Sequence, residues 1–191
     1  MSLNDVKIFL LPGGKMPVRM SEEAAGFDVH LRAIVSATEM DPSNPKLRKT
    51  LFDFKEPPKD ERVARDVFHV DWRFVYRLRP RHSIMFGIGI ITEMVSPLFF
   101  LVAPRSGLAS KHGIQVTNAP GTVDADYRGE AGVLAYNLNE EETFDFELDM
   151  RIAQIVFLPA IIPNFTVVAE YTDLSDTKRG AGGFGSTGLK G

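Results

Sequence analysis

The sequence lacks cysteine, any concentration of basic residues and a long uninterrupted apolar segment. Without cysteine among its 191 residues, the chain can form no disulfide and no thiolate metal site, which fits a reducing compartment. A net charge of −3, with Lys and Arg scattered along the chain, gives no indication of direct nucleic-acid binding. The longest apolar candidate, residues 84–103, is interrupted by Thr92, Glu93 and Pro97, so we expect no membrane association.

The N-terminal residues do not show the basic and then apolar pattern of a secretion signal, because Asn4 and Asp5 precede only a short apolar run. We therefore expect a cytoplasmic protein. A chain of this length can bury one sizeable core. We expect a single β domain over residues 1–172 and a C-terminal arm over residues 173–191.

Short apolar runs, several with the two-residue period of a half-buried strand, dominate the chain. Gly, Pro, Asn and Asp separate these runs, and only residues 106–112 are predicted to be helical, with Gly113 as the stop. Many short strands with one short helix favour an all-β fold, a jelly-roll-like distorted barrel. The predicted strands cover residues 6–11, 27–33, 70–78, 84–92, 98–103, 113–117, 131–138, 144–148, 152–158 and 165–171.

Two segments depart from the strand pattern. Residues 37–66 are rich in proline and charge around a small apolar island at 51–54, and we interpret them as a partly ordered surface insertion that buries little. Five of the ten residues from 179 to 188 are glycine. Because ordering glycine costs backbone entropy, this C-terminal stretch is predicted to be a flexible lid unless a ligand binds it.

The stretch from Val123 to Glu130 carries two carboxylates, at Asp124 and Asp126, followed by Tyr127. In an extended backbone the two carboxylates share a face, whereas in a turn they diverge. Asp124 could polarise a water molecule as a general base, and Tyr127 could form an apolar wall under a sugar. Taken alone, the pattern is more typical of a polar hairpin turn.

Three further segments hold candidate binding groups, each with a structural alternative. Arg105 and Ser106 precede the predicted helix, where backbone amides attract anions, although Ser106 could be a plain N-cap. Arg179 and Phe184 in the glycine-rich tail would suit a phosphorylated aromatic ligand, although the tail could be a simple linker. The alternation over residues 27–33 places Asp28 on the solvent-facing side of its strand.

Five segments, taken together and in this order, resemble the trimeric deoxyuridine triphosphatase (dUTPase) family. The resemblance implies a jelly-roll homotrimer with shared active sites, which hydrolyses dUTP to dUMP and pyrophosphate with Mg²⁺. The spacing of 77 residues between Asp28 and Arg105 is longer than in compact members of the family, and the excess falls in residues 37–66. The five segments read AGFD, PRSGLA, GTVDADYRGE, RIAQ and RGAGGFGSTG, and they span residues 24–188.

The resemblance also implies roles for individual residues. Asp124 would orient and activate the water that attacks the α-phosphorus, and Asp28 would hold the water shell of the metal rather than the metal itself. Tyr127 would lie beneath the deoxyribose, where a 2′-hydroxyl would collide. The hairpin that binds uracil would comprise Asn118, Gly121, Thr122 and Gly132. The residues that bind the phosphates would be Arg105, Ser106, Gly107 and the catalytic Gln154. The closing lid would comprise the catalytic Arg179 with Phe184, Gly185, Ser186 and Thr187.

Three alternatives remain beside this interpretation. A deoxycytidine triphosphate deaminase shares the fold, but its proton shuttle would be a glutamate shortly before Asn137, where residues 132–136 contain no acid. A nucleotide-binding regulator that has lost hydrolysis could use residues 37–66 to bind a protein partner. A capsid or lectin-like jelly roll would leave the glycine-rich segment unexplained.

Overall fold

The computed structural model describes residues 5–182. Within this range the chain forms fourteen strands, two short α-helices and one 3₁₀ turn. The strands are β1 (Lys7–Leu10), β2 (Gly26–His30), β3 (Ala33–Asp41), β4 (Asn44–Phe52), β5 (Val67–Val70), β6 (Arg73–Leu78), β7 (Ser83–Gly87), β8 (Ile90–Glu93), β9 (Leu98–Ala103), β10 (Ile114–Val116), β11 (Gly121–Val123), β12 (Gly132–Asn137), β13 (Phe144–Glu147) and β14 (Arg151–Pro159). The helices are α1 (Glu61–Ala64) and α2 (Ser106–His112), and the 3₁₀ turn covers Tyr171–Asp173.

The described strands form four antiparallel sheets over one apolar core, as expected for an all-β, jelly-roll-like fold. The sheet orders are β10-β12-β7-β3-β4, β11-β9-β14-β2, β13-β6-β5 and β1-β8. Strand β9 buries every second side chain, including Phe100, and β12 does the same with Val133. Phe86 of β7 and Phe146 of β13 join the same core with ring centroids 4.6 Å apart. The all-β prediction is confirmed, with α1 as a second, one-turn helix.

Four predicted strands differ from the structure. Residues 27–33 are divided, because β2 ends at His30 and β3 begins at Ala33. Residues 70–78 form the hairpin β5–β6 rather than one strand, because Asp71 adopts a positive φ of 54° and Trp72 is 87% exposed at the turn. Residues 84–92 are divided into β7 and β8 around Gly89, whose φ is 73°. Residues 165–171 form no strand, since no strand among the described residues pairs with them.

The segment 37–66 is more ordered than the sequence indicated. Strands β3 and β4 pair as a long hairpin whose turn is fixed by Asp41, which accepts a hydrogen bond from Ser43 N at 2.8 Å. Phe52 and Phe54, with ring centroids 4.5 Å apart, are buried in the core together with Val63 of α1. The expectation that this segment buries little is therefore wrong for its C-terminal half, because the apolar island reaches the main core.

The chain divides into two compact units between Ile161 and Ile162, whereas the sequence placed the start of the arm at residue 173. The first unit contains all of the described strands. In the second unit, Phe165 and Val167 are 90% and 94% exposed, and the 3₁₀ turn is the regular element among its described residues. No helix in residues 5–182 is long and apolar enough to span a membrane.

Candidate active site

One group of predicted site residues surrounds a cavity of about 230 Å³ at the end of β11. Strand β11 lies at the edge of its sheet among the described residues, where it pairs only with β9, and all three of its residues line the cavity. Gly132 also borders the cavity at the start of β12, where an added Cβ would overlap Met85 Cε. The lining residues are Arg48, Met85, Val102, Asn118, Gly121, Thr122, Val123, Asp124, Tyr127, Glu130, Ala131 and Gly132.

The two carboxylates of the Val123–Glu130 stretch lie on a turn rather than on one strand face. Strand β11 ends at Val123, and Tyr127 N donates to Asp124 O at 3.2 Å. Asp124 therefore lines the 230 Å³ cavity, whereas Asp126 lines only the larger cavity next to it. Because Asp124 and Asp126 lie on a turn, their side chains do not share one face as they would in an extended strand.

The Tyr127 ring is held in place by its own turn. Its hydroxyl donates to the backbone carbonyl of Glu130 at 3.2 Å, while the ring remains 36% exposed. Gly129 allows this close approach, because a Cβ at that position would overlap the Tyr127 hydroxyl. The turn thus presents a fixed aromatic surface to the cavity.

A buried ion pair between Arg32 and Glu130 supports this turn, although no role was predicted for Glu130 from the sequence. The Glu130 side chain is 1% exposed and accepts hydrogen bonds from Arg32 Nε and Nη2, each at 2.8 Å. It also accepts a hydrogen bond from Gly89 N at 2.8 Å. A signal was present in the sequence, because Glu130 directly precedes the apolar run 131–135. An acid buried beside such a run requires a partner of opposite charge.

A second group of predicted residues gathers around Asp28 on the β9-β14-β2 side of the sheet. Asp28 Oδ2 lies 3.1 Å from Arg105 Nε and 3.2 Å from Arg151 Nη1. The prediction that Asp28 faces solvent is wrong: the residue is only 9% exposed, because the two guanidinium groups cover it. Arg105 also donates to the carbonyl of Arg151 at 3.0 Å, which ties the three residues together.

Gln154 belongs to the same group. Its Nε2 donates to Pro104 O at 3.0 Å, directly before Arg105 in the chain. An added Cβ at Gly26 would overlap Gln154 Oε1, so this glycine makes the room that the amide occupies. Gln154 faces Asp28 on β2 and Ala103 on β9 in the sheet register.

The residues after Arg105 begin helix α2. Arg105 itself occupies the N-cap position, so the structure does not place Ser106 as the cap. Ser106 is exposed, and an added Cβ at Gly107 would point into open space. Gly113 ends the helix as predicted, with a φ of 64° and its N–H bonded to Ala109 O and Leu108 O.

The structure keeps these two groups apart within one chain. Val123 pairs with Phe100, three residues before β9 ends at Ala103, and Arg105 lies beyond that end. At about 3.3 Å per residue, the strand alone separates Asp124 from Arg105 by about 10 Å or more. Within residues 5–182, no hydrogen bond or ion pair joins the Asp124 side chain to Arg105 or Arg151, whose side chains contact Asp28 instead.

The remaining predicted residues lie in the second unit. Arg179 is exposed and its Nε donates to Gly182 O at 2.7 Å. Phe184, Gly185, Ser186 and Thr187 lie outside the described residues.

The described residues contain no group of three or more His, Asp or Glu side chains able to enclose a metal. The ion pairs of Asp28 with Arg105 and Arg151 are formed at Oδ2, and Oδ1 is the oxygen that would accept a hydrogen bond from a metal-bound water. Mg²⁺ keeps several waters and does not need an all-protein cage. The donor set thus fits a magnesium ion held through water and substrate phosphates.

Solved structures similar to this chain include phage dUTPases. The dUTPase of Staphylococcus bacteriophage 80alpha, solved with dUpNHpp, is 21% identical, has a TM-score of 0.68, and the match covers 97% of this chain and 99% of that one. The dUTPase of phage phi11 of S. aureus, described for its species-specific insert, is 17% identical, with a TM-score of 0.60 and coverage of 90% and 100%. At these identities the likeness concerns the fold.

Sequence relatives give the family. The deoxyuridine 5′-triphosphate nucleotidohydrolase of Rhizobium etli (strain CIAT 652) is 52% identical over 112 residues, which cover 59% of this chain and 69% of the relative. The enzyme of the same name from Nautilia profundicola is 46% identical over 111 residues, covering 58% and 75%. The family model described as dUTPase matches residues 61–188. The chain belongs to the dUTPase family.

Proposed function

We propose that the protein is a dUTP diphosphatase that hydrolyses dUTP to dUMP and pyrophosphate. The observation that carries this proposal is the 230 Å³ cavity, where an exposed strand edge, Asn118, Tyr127 and Asp124 come together. The dUTPase-family membership and the names of the relatives support the same reaction. The chemistry of each group is consistent with it.

The edge of β11 suits the uracil base. Its backbone N–H and C=O groups, unpaired on the cavity side, alternate as donors and acceptors along the strand. Uracil presents acceptor, donor and acceptor on its pairing edge, whereas cytosine presents donor, acceptor and acceptor. Because a site built for hydrogen bonds rejects a ligand that leaves them unpaired, this edge would discriminate against dCTP.

Tyr127 supplies the sugar contact. Its fixed ring offers an apolar surface against which deoxyribose packs. A 2′-hydroxyl would be pressed against this surface without a hydrogen-bond partner, which disfavours ribonucleotides.

Asp124 acts as the general base. It accepts a proton from a water molecule as that water forms a bond to the α-phosphorus, and the bond from the α-phosphorus to the bridging oxygen breaks, so that pyrophosphate leaves with the electron pair. Arg105, Ser106, Gly107 and Gln154 bind and orient the phosphates. When bound, Mg²⁺ supplies charge neutralisation to the phosphates, with Asp28 holding its water shell.

The separation of the two groups within one chain supports a homotrimer with shared sites. Asp124 of one subunit would act on a nucleotide whose phosphates contact Arg105 of a neighbour. Arg179 and the glycine-rich residues after it would close over the site and exclude water. The arm over residues 173–191 is thus proposed as a lid.

The test offers dUTP, dCTP, dTTP and dATP in parallel with Mg²⁺ and identifies the products. We expect dUMP and pyrophosphate from dUTP. Release of ammonia from dCTP would indicate a deaminase, and release of orthophosphate from dUTP would contradict attack at the α-phosphorus. Asp124→Asn should abolish turnover and retain dUTP binding, since it removes the base and keeps the shape.

The subunit arrangement has its own test. Inactive Asp124→Asn chains mixed with inactive chains truncated after Lys178 should recover part of the activity, because some sites receive an intact Asp124 and an intact arm. Sedimentation should show a trimer. A fully active monomer would contradict shared sites.

A further inference from the structure

The long hairpin β3–β4 contributes a side chain to the candidate active site. Arg48 of β4 lines the 230 Å³ cavity together with Asn118 and Asp124. It also lines a second, more open cavity of about 580 Å³ that shares Asp124 and Tyr127 with the first. Arg48 therefore stands where the two cavities meet. It precedes residues 61–188, which the dUTPase model matches, so the family pattern assigns it no role.

The hydrogen-bonding capacity of Arg48 is mostly unused. Its Nη1 donates to Ala37 O at 2.6 Å across the hairpin, but its buried Nε finds no acceptor among the described residues. A guanidinium offers five N–H donors, and a buried unpaired donor is costly. The next residue behaves differently, since Lys49 Nζ pairs with Glu39 Oε2 at 2.9 Å. Within residues 5–182, Arg48 forms no ion pair of this kind.

The two cavities differ in charge. The smaller one is lined by three charged residues, Arg48, Asp124 and Glu130, and the Glu130 carboxylate is already paired with Arg32. The larger one brings three cations, Lys46, Arg48 and Arg128, close to Asp124 and Asp126. A nucleotide with its base in the smaller cavity would direct its phosphates towards the charged one. There, the two carboxylates would repel phosphate unless a cation lay between them.

We propose that Arg48 is a substrate-binding residue that donates hydrogen bonds to a phosphate oxygen of the bound nucleotide. This inference rests on the proposed function, because it requires the base to occupy the smaller cavity. Arg48 offsets the repulsion between the phosphates and the Asp124 and Asp126 carboxylates. A planar guanidinium with free donors suits a phosphate oxygen better than a lysine does.

The experiment compares Arg48→Met, which retains the apolar stem, with Arg48→Lys, which retains the charge. Lys49→Met is the matched control, since it removes a neighbouring cation of the same strand that lines neither cavity. Affinities for deoxyuridine and for dUMP are measured by calorimetry, and KM and kcat for dUTP by pyrophosphate release. Unfolding midpoints are recorded for every variant.

We expect Arg48→Met to weaken dUMP binding about tenfold, as for the loss of a charge-assisted hydrogen bond, and to leave deoxyuridine binding unchanged. The KM for dUTP should rise in parallel, Arg48→Lys should recover part of the loss, and Lys49→Met should match the wild type. Equal weakening of deoxyuridine and dUMP, or a loss that follows a lowered unfolding midpoint, would assign Arg48 a structural role and overturn the proposal.

The failure of this inference differs from the failure of the proposed function. If the wild type hydrolyses dUTP while Arg48→Met binds dUMP as tightly as the wild type, the function stands and the role of Arg48 is wrong. If the wild type leaves dUTP intact, the proposed function fails, and the Arg48 proposal fails with it.

Discussion

The buried pair of Arg32 and Glu130 provides a demanding test of how the candidate site is supported. The perturbation is Glu130→Ala. It removes a carboxylate that is 1% exposed and that accepts three hydrogen bonds, two from Arg32 and one from Gly89 N. The Arg32 side chain, 12% exposed, would then be a nearly buried cation without its partner.

The expected destabilisation follows from these contacts. Breaking a buried ion pair by removing one partner costs about 3–5 kcal/mol, because the remaining charge is uncompensated. The unpaired Gly89 N–H places the loss towards the upper part of that range, so we expect about 4 kcal/mol. Arg32→Met alone leaves Glu130 unpaired and should cost a similar amount. The double variant should cost less than the sum of the two, with a coupling of about 2 kcal/mol.

Urea denaturation followed by far-UV circular dichroism measures these free energies, and the m-value checks that the variants unfold as the wild type does. Asp126→Ala is the control, because it removes an exposed acid of the same turn and should change stability by less than about 0.5 kcal/mol. A loss below about 1 kcal/mol for Glu130→Ala, or strict additivity in the cycle, would refute the reasoning.

Three other perturbations test separate features of the molecule. Asp60→Ala removes the N-cap of α1 and should cost about 1 kcal/mol of stability at pH 7. Hydrogen bonds from Arg62 lower the pKa of Asp60 from 3.8 to about 2, so the stabilisation by Asp60 is complete above pH 3.8 and is lost as the pH falls through 2. Denaturation curves at several pH values measure this loss. Gly26→Ala places a Cβ against Gln154 Oε1, so kcat should fall while the unfolding midpoint changes little. An unchanged kcat would contradict the placement of Gln154. Truncation after Lys178 should leave the circular dichroism spectrum and unfolding midpoint intact but slow dUTP turnover; rapid turnover by the truncated chain would contradict the proposed lid.

Elements with a strong local pattern were predicted closely. Strand β9 follows from the apolar run 98–103, and β12 from the run 131–138, because a short apolar run between turn residues is typical of a buried strand. The end of helix α2 at Gly113 follows from the residue type, because glycine readily adopts a positive φ. These features depend on neighbours within a few residues.

Features that depend on distant partners were not predictable. The alternation over residues 70–78 continues across the β5–β6 turn, and Asp71 and Trp72 are not the Asn-Gly or Asp-Gly pair that signals a two-residue hairpin. The burial of Asp28 requires Arg105 and Arg151, which lie 77 and 123 residues further along the chain. A pattern of period two identifies the two faces of a strand. It does not reveal that distant side chains, here Arg105 and Arg151, cover the polar face.

The position of the hairpin β3–β4 beside the candidate site was also not predictable from its composition. Its proline and charge led to the interpretation of a surface insertion, and its tip at Pro42 and Ser43 is indeed exposed. Further along β4, however, Arg48 borders the cavity that holds Asp124. The charged residues of an insertion can therefore be solvated at one end and line a binding site at the other, and only the pairing register distinguishes the two.

Strand β14 connects core packing to the second half of the site through one irregularity. Arg151 pairs with His30 and Ala153 with Val29, so two residues of β14 oppose one of β2, and Ile152 and Ala153 are both buried. In a regular strand, Arg151 and Gln154 would point to opposite faces, because their separation is an odd number of residues. The bulge reverses that parity and lets Arg151 reach Asp28 while Gln154 reaches Pro104 O. The phosphate-binding geometry that we propose therefore depends on a local break in the regular side-chain alternation of β14, which the apolar run 152–158 does not reveal.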